Sequence, residues 1–223
     1  MVPREAEPPS HESGISVAHR TIPARPIGGL GGHGLDRGGT LDPVSDSEPL
    51  TDPPAVRRLV VLRHGTATGA AASDHERDLT DQGRAEATGV GRWLRTEGHL
   101  PDRALVSDAR RTRRTWEELA AAGNLLDVPV EHAPALYSAG PESALDLVRA
   151  TDAGVGTLLL VGHNPTVASL AHLLHDGRGS ERAALRMAQG YPPAAVTVLA
   201  VPVPWRELAW GLARLVDFRS PRP

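Results

Sequence analysis

Two short runs of consecutive apolar residues constrain the fold of this chain more than any other feature of its sequence. Residues 59–62 and 157–161 contain almost only leucine and valine, without the polar alternation of a strand that has one solvent face. Such runs are typical of strands in a parallel sheet that helices cover on both faces. Because helix-like segments alternate with strand-like ones from residue 57 onward, the sequence predicts a three-layer α/β/α sandwich with a mostly parallel central sheet.

The remaining elements are placed by local capping and turn signals. Thr80 is the predicted N-cap of the first helix. The face that we expect this helix to bury is centred on Ala85, Gly89 and Trp93, with Val90 and Leu94 at its margin. We expect further strands at residues 104–106, 129–132, 195–201 and 213–218, helices at 109–122, 142–150 and 165–175, and a polar loop or short helix at 177–190.

The first 56 residues differ from the rest in composition. They hold many of the 20 prolines and 23 glycines of the chain, and their apolar runs are no longer than two or three residues. Such a segment buries too little apolar surface to offset a backbone ordering entropy of roughly 1–2 kcal/mol per residue. We therefore expect residues 1–56 to be a disordered extension, or to result from a start codon assigned too far upstream, and residues 57–223 to form one domain. The polar beginning of the chain does not predict a secretory signal peptide.

Net charge, hydropathy and cysteine content limit which partners and metal sites the chain can have. The formal net charge is −3, which argues against nucleic-acid binding, and no stretch approaches the ~18 apolar residues of a membrane span. The chain contains no cysteine, so disulfides and thiolate metal sites are excluded. We accordingly expect a cytoplasmic protein that binds neither nucleic acid nor a membrane and uses no metal or other cofactor. The oligomeric state is left open.

Three of the predicted strands end in residues that can carry chemistry. In parallel sheets ligands bind at the carboxyl ends of the strands, where these side chains would meet in one pocket. Arginines can neutralise phosphoryl oxygens without a metal ion, a histidine beside them can act as a covalent nucleophile, and a glycine lets a ligand approach the backbone closely. The three ends are Arg63-His64-Gly65, Ser107-Asp108 and Gly162-His163-Asn164.

Further arginines flank these strand ends. Arg77 precedes the first helix, and Arg110 and Arg111 lie in the first turn of the helix that follows the second strand. The default interpretation of the dense arginine run at 110–114 is a solvated helix face, and helical geometry allows only one or two of these side chains to reach the pocket. The combination predicts a pocket for an anion.

Four motifs in this order resemble the histidine phosphatase (phosphoglycerate mutase-like) superfamily, and within it the small SixA-like phosphohistidine phosphatases. The resemblance covers about residues 57–220. Each motif alone is common, whereas their order and spacing together are specific. They are Leu62-Arg63-His64-Gly65, Arg77-Asp78-Leu79-Thr80-Asp81-Gln82-Gly83, a stretch from Val106 to Thr115 that contains Ser107 and Arg111, and Gly162-His163-Asn164-Pro165.

The resemblance implies a metal-independent phosphatase and a role for each residue of the pocket. His64 would be the nucleophile that becomes phosphorylated. Arg63 and Arg111 would bind the phosphoryl oxygens, and His163 would stabilise the charge of the transition state. Arg77 would contact the phosphate or the substrate. The implied substrate is a phosphorylated protein that carries phosphohistidine, or a small phosphoester.

The chain lacks the long insertion that mutases carry between the first helix and the second half of the domain, and it departs from the family pattern at two single residues. Arg111 is preferred over Arg110 because it lies four residues after Ser107, as in the family, but Asp108 stands where the family has a proline. We expect Ser107 or Asp108 to cap the following helix. The glutamate that larger members use as a proton donor has no counterpart, which suits a substrate with a good leaving group, such as the imidazole of phosphohistidine.

Other interpretations of the same residues stay open. The chain could be a phosphomonoesterase of small metabolites, or a catalytically silent phosphate-binding module. His64 or His163 could be purely structural, and Tyr137 is expected to pack at the rim of the pocket. His172 and His175 lie three residues apart and could begin a zinc site, and the arginine run could bind nucleic acid. The lack of acidic or cysteine ligands at suitable spacing argues against the zinc site, and the negative net charge argues against nucleic acid.

Overall fold

The computed structural model describes residues 56–221 of the chain, and the expectations for residues 1–55 lie outside this part. Seven strands and five α-helices lie within the described range. The strands are Arg57–Arg63 (β1), Arg103–Ser107 (β2), Val130–Ala133 (β3), Thr157–Gly162 (β4), His175–Gly179 (β5), Val196–Val201 (β6) and Ala213–Arg219 (β7). The helices are Asp81–Thr96 (α1), Arg110–Gly123 (α2), Pro141–Arg149 (α3), Thr166–Leu174 (α4) and Glu181–Ala188 (α5), with short 3-10 helices at Pro134–Tyr137 and Trp205–Glu207.

The strands form one sheet in the order β3-β2-β4-β1-β6-β7-β5. Strand β1 pairs in parallel with β4, and β2 pairs in parallel with both β3 and β4. Strand β6 is antiparallel to β1 and β7, whereas the edge strand β5 runs parallel to β7. The prediction of a mostly parallel sheet is confirmed. The tips of β1, β2 and β4 lie side by side at one edge of it.

Strand β1 divides its side chains between two cores. Leu59 and Val61 pack on one face of the sheet with residues of α3, α4 and α5, while Val60 and Leu62 pack on the other face with residues of α1 and α2. All four are fully buried. Burying such a side chain is worth about 1.5–3 kcal/mol, so the apolar run that predicted a doubly covered strand also holds β1 rigidly in the centre of the sandwich.

Helix α1 begins where its capping residues predict. The Oγ1 atom of Thr80 accepts a hydrogen bond from the backbone N–H of Gly83 at 3.0 Å, and Asp81 lies in the first turn. The cap satisfies one of the free N–H groups at the start of the helix. The backbone N–H of Thr80 also donates to the carbonyl oxygen of Thr66 at 2.9 Å, which fixes the start of the helix to the segment after β1.

The predicted centre of the buried face of α1 is wrong. Ala85 is exposed and Gly89 is half-buried, because close backbone contacts select another stripe of the helix. A Cβ atom at Gly91 would lie 2.1 Å from the carbonyl oxygen of Leu119 in α2, so only glycine permits this approach. The buried residues of α1 are Gly83, Ala87, Val90, Gly91 and Leu94.

The segment at 177–190 contains a strand that the sequence did not reveal. Strand β5 has the sequence His-Asp-Gly-Arg-Gly, which shows no apolar alternation. Gly179 has a φ angle of +112°, and a Cβ atom there would lie 2.0 Å from the carbonyl oxygen of Leu215 in β7. The strand is therefore specified by backbone pairing with β7. The short helix expected in this segment is α5.

Within residues 56–221 none of the helices is long and apolar enough to cross a lipid bilayer. The cytoplasmic location expected from the sequence stays a prediction.

Candidate active site

The three strand ends singled out in the sequence meet at one edge of the sheet. Arg63 at the end of β1 lies opposite Gly162 at the end of β4 in the parallel register. The backbone N–H of His64 donates to the carbonyl oxygen of Gly162 at 3.1 Å. The ring centroids of His64 and His163 are 5.2 Å apart. The two imidazoles therefore share one pocket.

The ring of His64 is held in one orientation. Its Nδ1 atom lies 2.7 Å from the carbonyl oxygen of Gly65, and since a carbonyl only accepts, Nδ1 carries the hydrogen. Burial lowers the pKa of His64 to about 4, and the nearby charge of Arg111 lowers it further, against the effect of the bond to Gly65. At neutral pH the imidazole is uncharged, and its lone pair is on Nε2.

His163 is oriented by the tip of the neighbouring strand β2. The Oγ atom of Ser107 lies 2.8 Å from its Nε2 atom. Burial lowers the pKa of His163 to about 3, and the proximity of His64 lowers it as well. Because the Ser107 hydroxyl can donate to Nε2, the hydrogen of the neutral ring can reside on Nδ1. That atom is buried and has no partner among residues 56–221.

Arg63 is held by the loop that follows α5, which is distant in sequence but adjacent in the fold. Its Nη1 atom donates to the carbonyl oxygen of Tyr191 at 2.9 Å, and the same oxygen accepts a hydrogen bond from Nδ2 of Asn164 at 2.9 Å. The Nε atom of Arg63 is buried and, like Nδ1 of His163, has no partner in the described part of the chain. Two buried nitrogen atoms next to the pocket thus lack a hydrogen-bond partner in the described part of the chain.

The structure distinguishes Arg111 from Arg110. Arg111 is 6% exposed. Its Nη1 atom donates to the backbone carbonyl of Asp74 at 2.7 Å, and its Nη2 atom to the carboxylate of Asp74 at 3.0 Å. Arg110 points elsewhere and pairs with Asp78 at 3.0 Å. Of these two arginines, the one preferred from the sequence faces the pocket.

Asp74 connects the charged groups at the mouth of the pocket. Besides Arg111, its carboxylate accepts hydrogen bonds from Nη1 of Arg77 at 2.9 Å and from the hydroxyl of Tyr137 at 2.7 Å. The bonds from Tyr137 and Arg77, together with the charge of Arg111, hold the pKa of Asp74 well below its usual range. The Nε atom of Arg77 donates to the carbonyl oxygen of Thr68 at 2.6 Å. Asp74 is therefore an anion that anchors the loop between β1 and α1.

The pocket as a whole favours an anion. The positive charges of Arg63, Arg77 and Arg111 all lower the pKa of His64. Asp74 offsets part of this charge, as do Glu86 near Arg63 and Asp108 near His163. The three guanidinium groups close to His64 nevertheless favour a bound anion. The arrangement offers guanidinium donors beside an uncharged imidazole.

Gly65 is required by packing. A Cβ atom there would lie 2.6 Å from the carbonyl oxygen of Gly83 in α1, and its backbone N–H donates to Oγ1 of Thr115 at 3.1 Å. The backbone thus turns tightly after His64, as its glycine implied. A contact between Gly65 and the substrate stays a prediction.

Neither Ser107 nor Asp108 caps α2, so that expectation is wrong. The N-cap is Ala109, which makes no side-chain capping bond. The Oγ atom of Ser107 lies against His163, and Oδ1 of Asp108 lies 3.1 Å from Nε2 of His75. Both polar side chains are directed to the pocket and its rim.

Several residues of the site were not identified from the sequence. Asp74 lies in a loop rich in glycine and alanine, where its position three residues before Arg77 was the available signal. Tyr191 contributes through its backbone carbonyl, for which no side-chain signal exists. Tyr137 was expected only to pack; it also donates to Asp74, and its ring lies 5.7 Å from that of His163.

Metal ligands are not clustered in the described part of the chain. No group of three or more His, Cys, Asp or Glu side chains there lies close enough together to hold a metal ion. His175 instead contacts the carbonyl oxygen of Arg178 at 3.0 Å through Nε2. The zinc site considered for His172 and His175 is not supported.

Comparisons with known proteins agree with this geometry. The family model described as "Histidine phosphatase superfamily (branch 1)" matches residues 59–138. An uncharacterized protein of Mycobacterium tuberculosis is 36% identical over 163 residues, which are 72% of this chain and 100% of that protein. The phosphohistidine phosphatase SixA of Escherichia coli is 33% identical over 124 residues, covering 54% of this chain and 75% of SixA.

A solved structure extends the similarity over the whole domain. It comes from Nakamurella multipartitia and is assigned to phosphohistidine phosphatase SixA. It superposes with a TM-score of 0.65 at 30% identity, covering 77% of this chain and 100% of that protein. The chain belongs to the histidine phosphatase superfamily and is a SixA-like phosphatase.

Proposed function

We propose that this phosphatase removes phosphate from phosphohistidine on a phosphorylated protein, and that it does so through a covalent phosphohistidine on His64. The observation that carries the proposal is the state of that ring. Its Nδ1–H is bound to the Gly65 carbonyl at 2.7 Å, and burial keeps it uncharged at neutral pH. A neutral imidazole with its Nε2 lone pair in a cationic pocket is a suitable nucleophile for phosphorus.

In the first step Nε2 of His64 attacks phosphorus. The new P–N bond forms while the P–N bond to the substrate imidazole breaks. The electron pair of that bond leaves with the substrate ring, which departs as neutral imidazole because its other nitrogen carries a proton. In the second step water attacks phosphorus, the bond to His64 breaks, and inorganic phosphate is released. Arg63 and Arg111 bind the equatorial oxygens, which carry the negative charge of the transition state.

His163 and Arg77 complete the binding of the phosphoryl group. The Nδ1 atom of His163, which is buried without a protein partner among the described residues, donates to a phosphoryl oxygen. Arg77 lies at the mouth with Asp74 and contacts the substrate side of the phosphate. We assign this activity to the domain at residues 57–223.

Two observations favour a phosphorylated protein as the substrate. The similar protein of Escherichia coli is a phosphohistidine phosphatase. The mouth of the pocket is open, since the side chain of Asp74 is 52% exposed, which leaves space for a bulky phosphorylated side chain to enter.

The test uses a histidine-phosphorylated carrier protein labelled with ³²P, in the presence of EDTA. We expect wild-type enzyme to release inorganic phosphate and to carry acid-labile label when quenched early. His64→Ala should lose both, with a rate lower by about three orders of magnitude or more. The matched control is His132→Ala, which changes an exposed histidine of β3. Turnover that persists in His64→Ala, or that requires an added metal ion, contradicts the proposal.

A further inference from the structure

Phosphoesters pose a demand that phosphohistidine does not. An alkoxide or phenolate is a poor leaving group unless it receives a proton as the P–O bond breaks. A group that supplies this proton must lie at the mouth of the pocket, on the side of phosphorus away from His64. It must also carry a transferable proton at neutral pH.

Most titratable groups near the pocket do not meet this demand. Asp74 is ionised because Tyr137, Arg77 and Arg111 bind it. The hydroxyl of Tyr137 is itself engaged as the donor to Asp74 at 2.7 Å. Glu86 is turned inward and accepts hydrogen bonds from the backbone N–H and the hydroxyl of Thr66.

His75 and Asp108 form a pair at the rim that the mechanism above does not use. Nε2 of His75 lies 3.1 Å from Oδ1 of Asp108, at ion-pair distance. That oxygen is buried and makes no hydrogen bond within the described part of the chain. The backbone carbonyl of His75 accepts a hydrogen bond from the N–H of Arg110 at 3.0 Å. The loop that carries His75 is therefore fixed to the start of α2, where Asp108 is located.

Ring contacts connect this pair to the pocket through Tyr137. The ring of His75 lies 5.0 Å from that of Tyr137, in an edge-to-face arrangement, and Tyr137 lies 5.7 Å from His163. Asp108 directly follows Ser107, the partner of His163, and its charge acts on the pKa of His163. His75 is thus next to the mouth of the pocket, with Tyr137 between it and the deeper histidine.

We propose that His75, oriented by Asp108, is the proton donor for the leaving group, and that this chain accordingly also hydrolyses phosphomonoesters with poor leaving groups. The proposal rests on the proposed function, because it uses the same phosphohistidine intermediate. In this chain the His75–Asp108 pair would take the place of the glutamate that larger family members use as the proton donor.

The proton transfers balance over one cycle. As Nε2 of His64 bonds to phosphorus, the P–O bond of the ester breaks and its electron pair goes to the leaving oxygen. His75 gives that oxygen a proton as the bond breaks, so that the ester leaves as a neutral alcohol or phenol. When water attacks the phosphoenzyme, the deprotonated His75 takes a proton from it, and the P–N bond electrons return to His64.

The experiment compares esters that differ in their need for a proton. We would measure kcat/KM, which reports formation of the phosphoenzyme, for 4-nitrophenyl, phenyl and methyl phosphate. The enzymes are wild type, His75→Gln, Asp108→Asn and the matched control His132→Gln, whose histidine is exposed on β3. Burst labelling of the enzyme and urea unfolding accompany each variant.

If His75 is a general acid, the loss of kcat/KM on its removal should depend on the leaving group of the ester. For His75→Gln we expect a loss of about 100-fold with phenyl and methyl phosphate, and a change of no more than about twofold with 4-nitrophenyl phosphate. Asp108→Asn should give a smaller loss of the same pattern, and His132→Gln should match wild type.

Two results overturn the proposal. One is an equal loss for all three esters, which would indicate a structural role for His75, and the other is no loss for any of them. Wild-type enzyme that releases phosphate from phosphohistidine but hydrolyses neither phenyl nor methyl phosphate overturns the proposal as well. Failure of the proposed function looks different, because wild-type enzyme would then neither turn over phosphohistidine nor carry acid-labile label, or turnover would persist in His64→Ala.

Discussion

Arg111 donates two hydrogen bonds to a single residue, Asp74, one to its backbone carbonyl and one to its carboxylate. Both partners lie at the pocket that we propose binds the phosphoryl group. The carboxylate also holds Arg77 and Tyr137, so one exposed side chain orients three groups from three different segments.

We expect Asp74→Ala to lower kcat/KM by about tenfold, because Arg111 and Arg77 lose a charge-assisted hydrogen bond that keeps them in place. Asp74→Asn retains an acceptor oxygen and should lose less. Steady-state kinetics with 4-nitrophenyl phosphate measures both, with Asp127→Ala at an exposed position as the control. Wild-type kinetics in Asp74→Ala would show that the arginines do not depend on this carboxylate.

Two adjacent arginines offer a matched pair of substitutions. Arg111→Ala removes a buried guanidinium from the phosphoryl pocket and should lower kcat/KM by about 100-fold or more. Arg110→Ala removes an exposed ion pair to Asp78 and should change kcat/KM by no more than about twofold. The same phosphatase assay checks both variants. Equal losses of kcat/KM in the two variants would mean that these arginines act only through the overall positive charge at the start of α2.

The two pocket histidines predict a loss of activity in acid. Because burial lowers the pKa of His64 to about 4, the proposed nucleophile is uncharged above that pH and is protonated below it. The rate of phosphoenzyme formation should therefore fall as the pH drops through about 4. A stopped assay with 4-nitrophenyl phosphate, corrected for the ionisation of the substrate, measures this limb of the profile.

The same pKa values predict a stability change. An unfolded histidine titrates near 6.5, whereas folded His64 and His163 titrate near 4 and 3. Between these pKa values the unfolded state binds more protons than the folded state, so the free energy of unfolding increases with pH. The protein therefore becomes less stable as the pH falls from about 6.5 towards 4. Urea unfolding should give a lower stability at pH 5 than at pH 7. His64→Asn should narrow that difference, and an unchanged difference would contradict the prediction.

Gly65→Ala tests whether packing requires this glycine. The added Cβ atom would lie 2.6 Å from the Gly83 carbonyl, and relieving such an overlap costs about 1–3 kcal/mol. We expect a lower urea midpoint and a displaced His64. Gly69→Ala, whose Cβ atom would meet nothing within 4 Å, is the control, and equal midpoints for the two variants would refute this explanation.

Features that are set by residues close together in sequence were predictable. The apolar run of β1, the cap at Thr80 and the residues at the strand ends are all local signals. Asp74 was missed because its partners Arg111 and Tyr137 are 37 and 63 positions away. The buried face of α1 was misplaced because it depends on the contact between Gly91 and the Leu119 carbonyl, which a helical pattern does not encode.

The carbonyl of Tyr191 receives both Arg63 and Asn164, and its hydroxyl donates to the carbonyl of Val61 in β1 at 2.8 Å. During synthesis on the ribosome, a nascent chain that has emerged only through α4 already contains both histidines but lacks the Tyr191 carbonyl that holds the guanidinium of Arg63. Competence to capture phosphate should consequently arise late in translation, once the loop after α5 has docked.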